Sequence, residues 1–446
     1  MKSAKLNLFD VTMIVTSLVI GMGIFRTPVN VAREAATAEL FFTAWIVGGL
    51  VTLCGALTYA EIGSRHPVTG GYYKIFSYCY HPSLAFAING IILVSNAATV
   101  AGVSLIGAEY LANLLFAGHE HLEEARLLIA ALAILLFYGV NLLGLRMSAN
   151  AQNALMLIKI GMVVLLIGAV FTVDHPSAPA TIREDPEYSW VSYLKSLGIC
   201  LVAVSFTYGG YQQTINFGGE ARNASRTLPR GIILGILMIM LLYLGINYAY
   251  YTVIGFDALK EAESIAAILA GAIFGEKGFS ILSVLLFFSV LAYVNVSMMS
   301  NPRVIYAMGE EGALPQWFGK KSGGSRAMVP ALTAFAALCL ITLFYAKTFD
   351  EILSHIIFLD CIGMATSAAT IFILRKRTAG MDKKKIYAMS LYPLLPVIFI
   401  VAYLLVGASI VIETPRAAIV SILVFSAFFA LYFILNKING KTKSAG

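Results

Sequence analysis

Charged residues are scarce in this sequence. Asp, Glu, Lys and Arg make up 12% of its 446 residues, about half of the roughly 25% found in an average soluble domain. Hydrophobic residues account for 59%, and the mean hydropathy is +0.82. This composition excludes a soluble globular domain and predicts an all-α, polytopic membrane protein, whose direct surroundings are a lipid bilayer.

The sequence also has few cysteines and lacks the motifs of common enzymes. No GxxxxGK[ST] phosphate loop, HExxH pair or nucleophile elbow is present, so we expect no enzyme activity, metal or cofactor. The net charge is +7, but no basic stripe with interleaved aromatic residues exists, which excludes nucleic acid as a partner. The cysteines lack CxxC or metal-like spacing and are typical of small buried side chains: Cys54, Cys79, Cys200, Cys339 and Cys361.

Apolar segments long enough to cross a bilayer recur along the whole chain. At about 20 residues per crossing, they predict about twelve spans in one domain of residues 1–446, centred near residues 20, 50, 100, 135, 163, 205, 242, 293, 338, 363, 400 and 426. With the N-terminus inside, 21 of the 31 Lys and Arg residues fall in inner segments and 7 in outer ones. The positive-inside rule then predicts a multi-pass protein of the cell membrane with both termini cytoplasmic. Assembly into homo-oligomers is left open.

Two glycine-rich breaks interrupt these apolar segments. Gly21-Met22-Gly23-Ile24-Phe25 lies inside a run from about Leu6 to Ala35, and Pro28 can restart the helix after it. A second break, Tyr208-Gly209-Gly210-Tyr211, lies much later in the chain. Open backbone survives at membrane depth only inside a bundle or at a cavity, and paired breaks indicate the binding site of a secondary transporter. We therefore expect the two breaks to hold a small zwitterion.

At the first break, the amides of Met22, Gly23 and Ile24 come at the start of a half-helix, where the helix dipole favours a carboxylate. We predict that this segment, with Gly21, binds the carboxylate of the substrate. The alternative is a packing kink in an ordinary helix, which the presence of a second break disfavours.

Several motifs, taken in order, resemble one transporter family. They are Gly21-Met22-Gly23-Ile24-Phe25, Ala56-Leu57-Thr58-Tyr59-Ala60-Glu61-Ile62-Gly63-Ser64 with Gly70-Gly71-Tyr72-Tyr73, Phe206-Thr207-Tyr208-Gly209-Gly210-Tyr211-Gln212, Gly219-Glu220-Ala221-Arg222-Asn223 with Leu228-Pro229-Arg230, and Arg303-Val304-Ile305-Tyr306 with Gly312-Ala313-Leu314-Pro315. They are similar to motifs of the amino acid–polyamine–organocation superfamily. Within it the chain resembles the L-type amino acid transporters and their bacterial homologues, such as serine/threonine and alanine/serine exchangers. The resemblance covers spans one to ten.

The resemblance implies the leucine-transporter fold with discontinuous helices 1 and 6. Residues 6–173 and 190–375 would be inverted repeats of five spans each, and residues 388–436 two accessory spans. It also implies sodium-independent exchange of neutral L-amino acids by alternating access, without ATP. A proton-coupled amino acid or polyamine symporter is the alternative within transport, and a non-transporting membrane sensor or assembly subunit is the alternative outside it.

For the second break, the resemblance implies that carbonyl groups of Val204, Ser205 and Thr207 accept hydrogen bonds from the substrate ammonium. Phe206 resembles the aromatic gate that covers the substrate in this family. The other interpretation of Phe206 is a lipid-facing aromatic, since such residues are common in membrane spans.

Three more residues near the breaks belong to the predicted site. Tyr208 and Gly209 form part of the second break, and Gln212 stands where relatives carry a polar side chain, so it is expected to help set selectivity. Met22 occupies a position where the family usually has a hydroxyl residue. Because a thioether cannot donate a hydrogen bond, carboxylate binding here would depend on the backbone alone.

Lys159 lies in the middle of the fifth span, where an ammonium costs on the order of 3 kcal/mol by insertion scales. It therefore needs a partner or a function. The resemblance implies that Lys159 replaces the sodium ion of sodium-coupled relatives and braces the first break through hydrogen bonds to its carbonyls. The alternative is a lysine that extends to the inner membrane surface.

Arg26 and Asp360 depart from the family, whose members mostly carry uncharged residues there. Arg26 follows the first break directly, and Asp360 lies in the tenth span near the expected pocket. We predict that they pair across the outer vestibule as a gate. The alternatives are two separate solvent-facing charges, or a contact between Asp360 and a polar group of the substrate.

Two glutamates near span ends, Glu61 and Glu109, are expected to cap helices or pair with loop arginines. A proton-coupling role for Glu109 is the weaker alternative, because carboxylates at span ends stay hydrated.

Overall fold

The described chain is almost entirely helical. The computed structural model describes residues 5–116, 121–172, 190–262, 264–322, 326–382 and 385–444. The first seven helices are α1 Leu8–Val19, α2 Thr27–Glu34, α3 Ala38–Arg65, α4 Gly71–Cys79, α5 Pro82–Leu115, α6 Leu122–Leu142 and α7 Leu145–Ile167. The others are α8 Trp190–Thr207, α9 Ala224–Ile254, α10 Phe256–Glu261, α11 Ile265–Phe274, α12 Gly278–Glu310, α13 Val329–Phe344, α14 Ala346–Arg377, α15 Leu394–Glu413 and α16 Pro415–Ser444. Five 3₁₀ turns connect or extend them: Gly23–Phe25, Gly168–Thr172, Tyr211–Asn216, Gly275–Lys277 and Gln316–Gly319.

The helix lengths agree with the predicted membrane spans. Among the residues that the structure describes, nine helical segments are long and apolar enough to cross a membrane. The first span is divided between α1 and α2, and α8 and α13 are shorter, with 18 and 16 residues. In the same ranges, pairing between extended segments is limited to isolated bridges. The prediction of an all-α polytopic membrane protein is therefore confirmed.

The first span is broken where the glycines predict it. A capping box between Asn7 and Asp10 starts α1, which satisfies two of the backbone donors that a helix start leaves unpaired. The helix stops at Val19, and Ile20 leaves helical geometry with ψ of 88°. After the Gly23–Phe25 turn, α2 resumes with proline in its first turn, where a missing N–H has no cost.

The second break separates α8 from a short 3₁₀ turn. Helix α8 ends at Thr207, and Gly210 then adopts φ of +110° before the turn Tyr211–Asn216 begins. Only glycine reaches this backbone region without strain. The chain continues through a loop to α9, so the second half of this span is a turn of six residues, compared with the eight residues of α2.

Segments predicted to be cytoplasmic meet at one end of the bundle. The backbone of Leu6 pairs with the loop before α9 through Leu6 N to Glu220 O (2.9 Å) and Arg222 N to Leu6 O (2.8 Å). Arg303 of α12 donates to the carboxylate of Glu220 at 2.6 Å, and Lys74 of α4 reaches Glu310 at 2.5 Å. These contacts place the N-terminal segment and three predicted inner loops on the same side of the protein.

Glu61 joins α3 to α14 at this same end. Its carboxylate, fully buried, accepts from Arg65 at 2.6 Å and from Arg375 at 2.8 and 2.7 Å, and from the backbone N–H of Met389 at 2.9 Å. At the opposite end, Glu109 accepts from Arg126 at 2.9 Å. Both glutamates pair with arginines, as predicted, although these arginines lie in α3, α6 and α14 and not in loops.

Candidate substrate-binding site

Lys159 stands at the end of the broken first helix. Its side chain is fully buried on α7, and its Nζ donates a 2.7 Å hydrogen bond to the carbonyl oxygen of Ile20. Because the helix ends here, no helical N–H continues the ladder, and the lysine supplies the donor instead. Full burial excludes the interpretation of a lysine that extends to the membrane surface.

Tyr243 of α9 links the two breaks. Its hydroxyl lies 3.2 Å from the carbonyl oxygen of Val19 and 3.1 Å from that of Thr207, so one group serves the ends of both α1 and α8. The hydroxyl of Thr207 also bonds that of Thr27 on α2 at 2.8 Å. Satisfied carbonyls of this kind are the condition for irregular backbone at membrane depth.

The amides of the first break lie at the start of the Gly23–Phe25 turn. The Gly23–Phe25 turn is closed by Phe25 N to Met22 O (3.1 Å) and Arg26 N to Gly23 O (2.9 Å). The N–H groups of Met22, Gly23 and Ile24 come before these donors and, as at any helix start, have no acceptor within the turn. This arrangement favours an anion such as a carboxylate.

A cavity of about 350 Å³ lies between the two breaks. It is lined by Gly21, Met22 and Gly23 from the first break and by Gly209 and Gly210 from the second. Helices α5, α12, α14 and α15 complete its walls. Its volume falls in the range of small-molecule pockets, and its walls combine apolar side chains with a few polar groups.

Comparison with known proteins places this architecture in one family. The sequence model described as amino acid permease matches residues 6–428. The chain belongs to the amino acid permease family. This permease is therefore an amino acid transporter of the superfamily that its motifs resemble, and it is not an enzyme.

Its relatives include transporters from bacteria and mammals. The permease is 27% identical over 438 residues to the serine/threonine exchanger SteT of Bacillus subtilis, covering 96% of both chains. It is 27% identical over 411 residues to the human large neutral amino acids transporter small subunit 2, covering 89% of this chain and 74% of that one. It is also 24% identical over 386 residues to the human cystine/glutamate transporter, covering 85% and 75%.

Most of the predicted site residues line the cavity. They are Gly21, Met22, Gly23, Ser205, Phe206, Thr207, Gly209, Gln212 and Asp360. Phe206 is 37% exposed at the cavity wall. Whether these residues bind or cover a substrate stays a prediction of the sequence.

Three of the predicted residues are not on the cavity wall, and their part in binding stays a prediction. Ile24, Val204 and Tyr208 are fully buried and absent from the cavity wall. Residues four apart share one face of a helix, and the face of Val204 and Tyr208 turns toward α3. Val204 fills the space beside Gly48, and the Tyr208 ring packs on Trp45 with centroids 6.1 Å apart. The carbonyl of Val204 accepts from the N–H of Tyr208 at 3.1 Å.

Arg26 and Asp360 are not joined in this structure. Both belong to the described ranges, and no ion pair within 4.0 Å connects them. Arg26 caps the turn at the start of α2 with its side chain exposed, whereas Asp360 lines the cavity from α14. The gate between them stays a prediction.

Sequence reasoning missed the contributions of α5 and α15. Asn96 and Thr99 of α5 and Tyr403 of α15 line the cavity, although the span holding Tyr403 was expected to be accessory. A polar residue inside an apolar span indicates a functional site, and Asn96 is such a residue. Tyr243 gives no such signal, because tyrosines are common in membrane spans.

Proposed function

We propose that this permease exchanges neutral L-amino acids across the cell membrane by alternating access, without sodium coupling. The amino acid carboxylate binds the amides of the first break, and its ammonium binds carbonyl groups of α8 at the second. Phe206 covers the bound substrate. The names of the similar proteins, which include exchangers and transporters of neutral amino acids, support this substrate class.

The hydrogen bond from Lys159 to the Ile20 carbonyl carries this proposal. The lysine Nζ, at 2.7 Å, donates a hydrogen bond to the open end of α1, where the dipole of a helix C-terminus would also attract a cation. A bound sodium ion would contact the same carbonyl. Because the amine is already present, transport by this permease does not require sodium.

The proposed inverted repeats have a matching feature. Residues 6–173 contain the break between α1 and α2, and residues 190–375 contain the break after α8, each in the first span of its repeat. Breaks at corresponding positions are what inverted repeats produce. Residues 388–436 hold the two spans outside the repeats.

Exchange is tested with the purified full chain in liposomes. With serine, alanine or leucine inside, we expect rapid uptake of the same labelled amino acid, equal in sodium and choline buffers. Uptake into vesicles without internal amino acid should be slow. Uptake that needs no internal amino acid but follows a pH gradient would replace exchange by proton-coupled symport, and no uptake of any amino acid would favour a sensor or assembly subunit.

Replacing Gly21 by alanine should weaken substrate binding without disturbing the fold. An added Cβ there meets nothing within 4 Å, and Gly21 lines the cavity, so the methyl group occupies substrate space. Loss of close approach between a charged carboxylate and one amide costs about 1.5–3 kcal/mol, or roughly a 10- to 100-fold rise in KM for exchange.

Gly161→Ala is the matched control for this substitution. Its added Cβ also meets nothing within 4 Å, and it lies on the exposed side of α7 away from the cavity. We expect wild-type KM in Gly161→Ala and no loss of thermal stability in either variant. A wild-type KM in Gly21→Ala would remove the first break from the proposed binding site.

Orientation in the membrane is tested by labelling single cysteines with an impermeant maleimide in intact cells. We expect Glu276→Cys, exposed next to α12, to react from outside, because it lies in a predicted outer segment. Ser444→Cys, at the end of α16, should react only after permeabilisation. The unsubstituted chain measures background, since four of its five cysteines are buried; the reverse pattern would invert the topology.

A further inference from the structure

Asp360 carries the only formal charge on the cavity wall formed by the described residues. It also lines a second cavity of about 210 Å³, which shares Ser95, Asn96, Gln212 and Gln213 with the first. The rest of that second lining is almost entirely apolar, with Ile88 and Leu359 among its residues. Asp360 therefore stands at the junction between a polar compartment and an apolar extension of it.

Its carboxylate has no protein donor. Within the described ranges, no Lys, Arg or His nitrogen lies within 4.0 Å of it, and none of the hydrogen bonds ends on it. Among the described residues, the two buried carboxylates are paired: Glu61 with two arginines, and Asp10 with Asn153 at 2.7 Å. An intramembrane charge without a partner is costly unless a ligand supplies one.

Three of the polar side chains around Asp360 already form hydrogen bonds with one another, with Asn301 or with the backbone. Asn96 donates to the side-chain oxygen of Asn301 at 2.6 Å, and Gln213 donates to Asn96 at 3.5 Å. The side-chain oxygen of Gln212 accepts from the N–H of Gly210 at 2.9 Å. These bonds hold the shared wall in place, and none of them ends on Asp360, whose carboxylate is open to a donor on the substrate.

We propose that Asp360 selects amino acids whose side chain carries a hydrogen-bond donor: a hydroxyl, an amide N–H or an ammonium. This inference depends on the proposed function, because the two breaks already hold the α-carboxylate and α-ammonium, which leaves the side chain to meet Asp360. The apolar extension next to it accommodates methylene groups. Substrates then extend beyond small neutral amino acids to diamino acids such as ornithine, whose charge neutralises the carboxylate.

The test is a competition series with Asp360→Ala and Asp360→Asn in liposome exchange. Labelled alanine is competed by serine, threonine and asparagine, by ornithine and lysine, and by the aliphatic amino acids valine and leucine. In the wild type, amino acids with a side-chain donor should compete at concentrations at least tenfold lower than valine. The reason is that hydrogen bonds to a charged group are stronger than those between neutral groups. In Asp360→Ala this preference should disappear, so that amino acids with a side-chain donor compete at the same concentrations as valine.

Asp360→Asn separates charge from hydrogen bonding. An amide accepts and donates hydrogen bonds without charge, so serine and asparagine should keep most of their preference, whereas ornithine and lysine should lose theirs by tenfold or more. Glu109→Gln is the matched control, since Glu109 pairs with Arg126 outside the cavity; its selectivity should equal that of the wild type.

Two results would overturn the inference and leave exchange itself intact. In the first, Asp360→Ala elutes and melts like the wild type but loses exchange of all amino acids equally. This result would assign Asp360 to binding of the α-ammonium or to the gate. Unchanged selectivity in Asp360→Ala would remove it from substrate recognition. Failure of the wild type to exchange any amino acid would instead reject the proposed function, and this inference with it.

Discussion

Gly210→Ala is expected to prevent the permease from forming a stable, active bundle. Gly210 has φ of +110°, and an added Cβ would lie 2.2 Å from the carbonyl oxygen and 2.9 Å from the carbonyl carbon of Leu18. Both atoms are backbone and cannot move aside as a side chain would. The strained conformation costs about 1–3 kcal/mol and overpacking a similar amount, so we expect a large fall in melting temperature and loss of exchange.

The neighbouring glycine is the control for this effect. An added Cβ at Gly209 lies 3.3 Å from the Phe206 carbonyl oxygen, which is tight, but its backbone is not in the left-handed region. Gly209→Ala should therefore lose much less stability than Gly210→Ala. Equal melting temperatures for the two variants would mean that the two breaks do not touch as closely as the Leu18 contact indicates.

Lys159→Met is expected to reduce exchange by about 10- to 100-fold while the protein still folds. Methionine keeps most of the side-chain length but removes the donor from the Ile20 carbonyl. Removing the donor leaves the Ile20 carbonyl unsatisfied, which costs about 1–3 kcal/mol and brackets that range of rates. Initial rates of exchange in liposomes, normalised to folded protein, measure it.

Lys195→Met is the matched control, because Lys195 is an exposed lysine on α8 and its substitution should leave exchange unchanged. A second variant, Lys159→Ala, tests the comparison with sodium directly. Its shorter side chain leaves space beside the Ile20 carbonyl, so sodium should stimulate its residual exchange although the wild type is insensitive. Wild-type exchange by Lys159→Met would show that the hydrogen bond is not needed for transport.

The positions of both breaks follow from local sequence. Two glycines one residue apart and a proline at 28 specify an end and a restart of the first span, and the structure has both. The intramembrane position of Lys159 also follows from sequence, since a lone ammonium in an apolar span requires a partner. The identity of that partner does not follow from the sequence, because the Ile20 carbonyl lies 139 residues away in the chain.

Other contacts were beyond sequence reasoning for the same reason. The orientation of Val204 and Tyr208 toward α3 depends on how α8 rotates in the bundle, and a two-glycine motif does not specify that rotation. Tyr243 bonds carbonyls from two different helices, although its own sequence context is an ordinary apolar span. The separation of Arg26 from Asp360 likewise depends on the relative positions of α2 and α14.

The sequence by itself determined the class of the protein, the number of spans and the places where helices must open, because burial in lipid and backbone hydrogen bonding act on short stretches of chain. Only the tertiary structure decided which side chains satisfy the opened backbone and which charge is left without a partner in the cavity. The physical reason is that these pairings join residues far apart in the chain, and they arise only when the helices pack at particular distances and rotations.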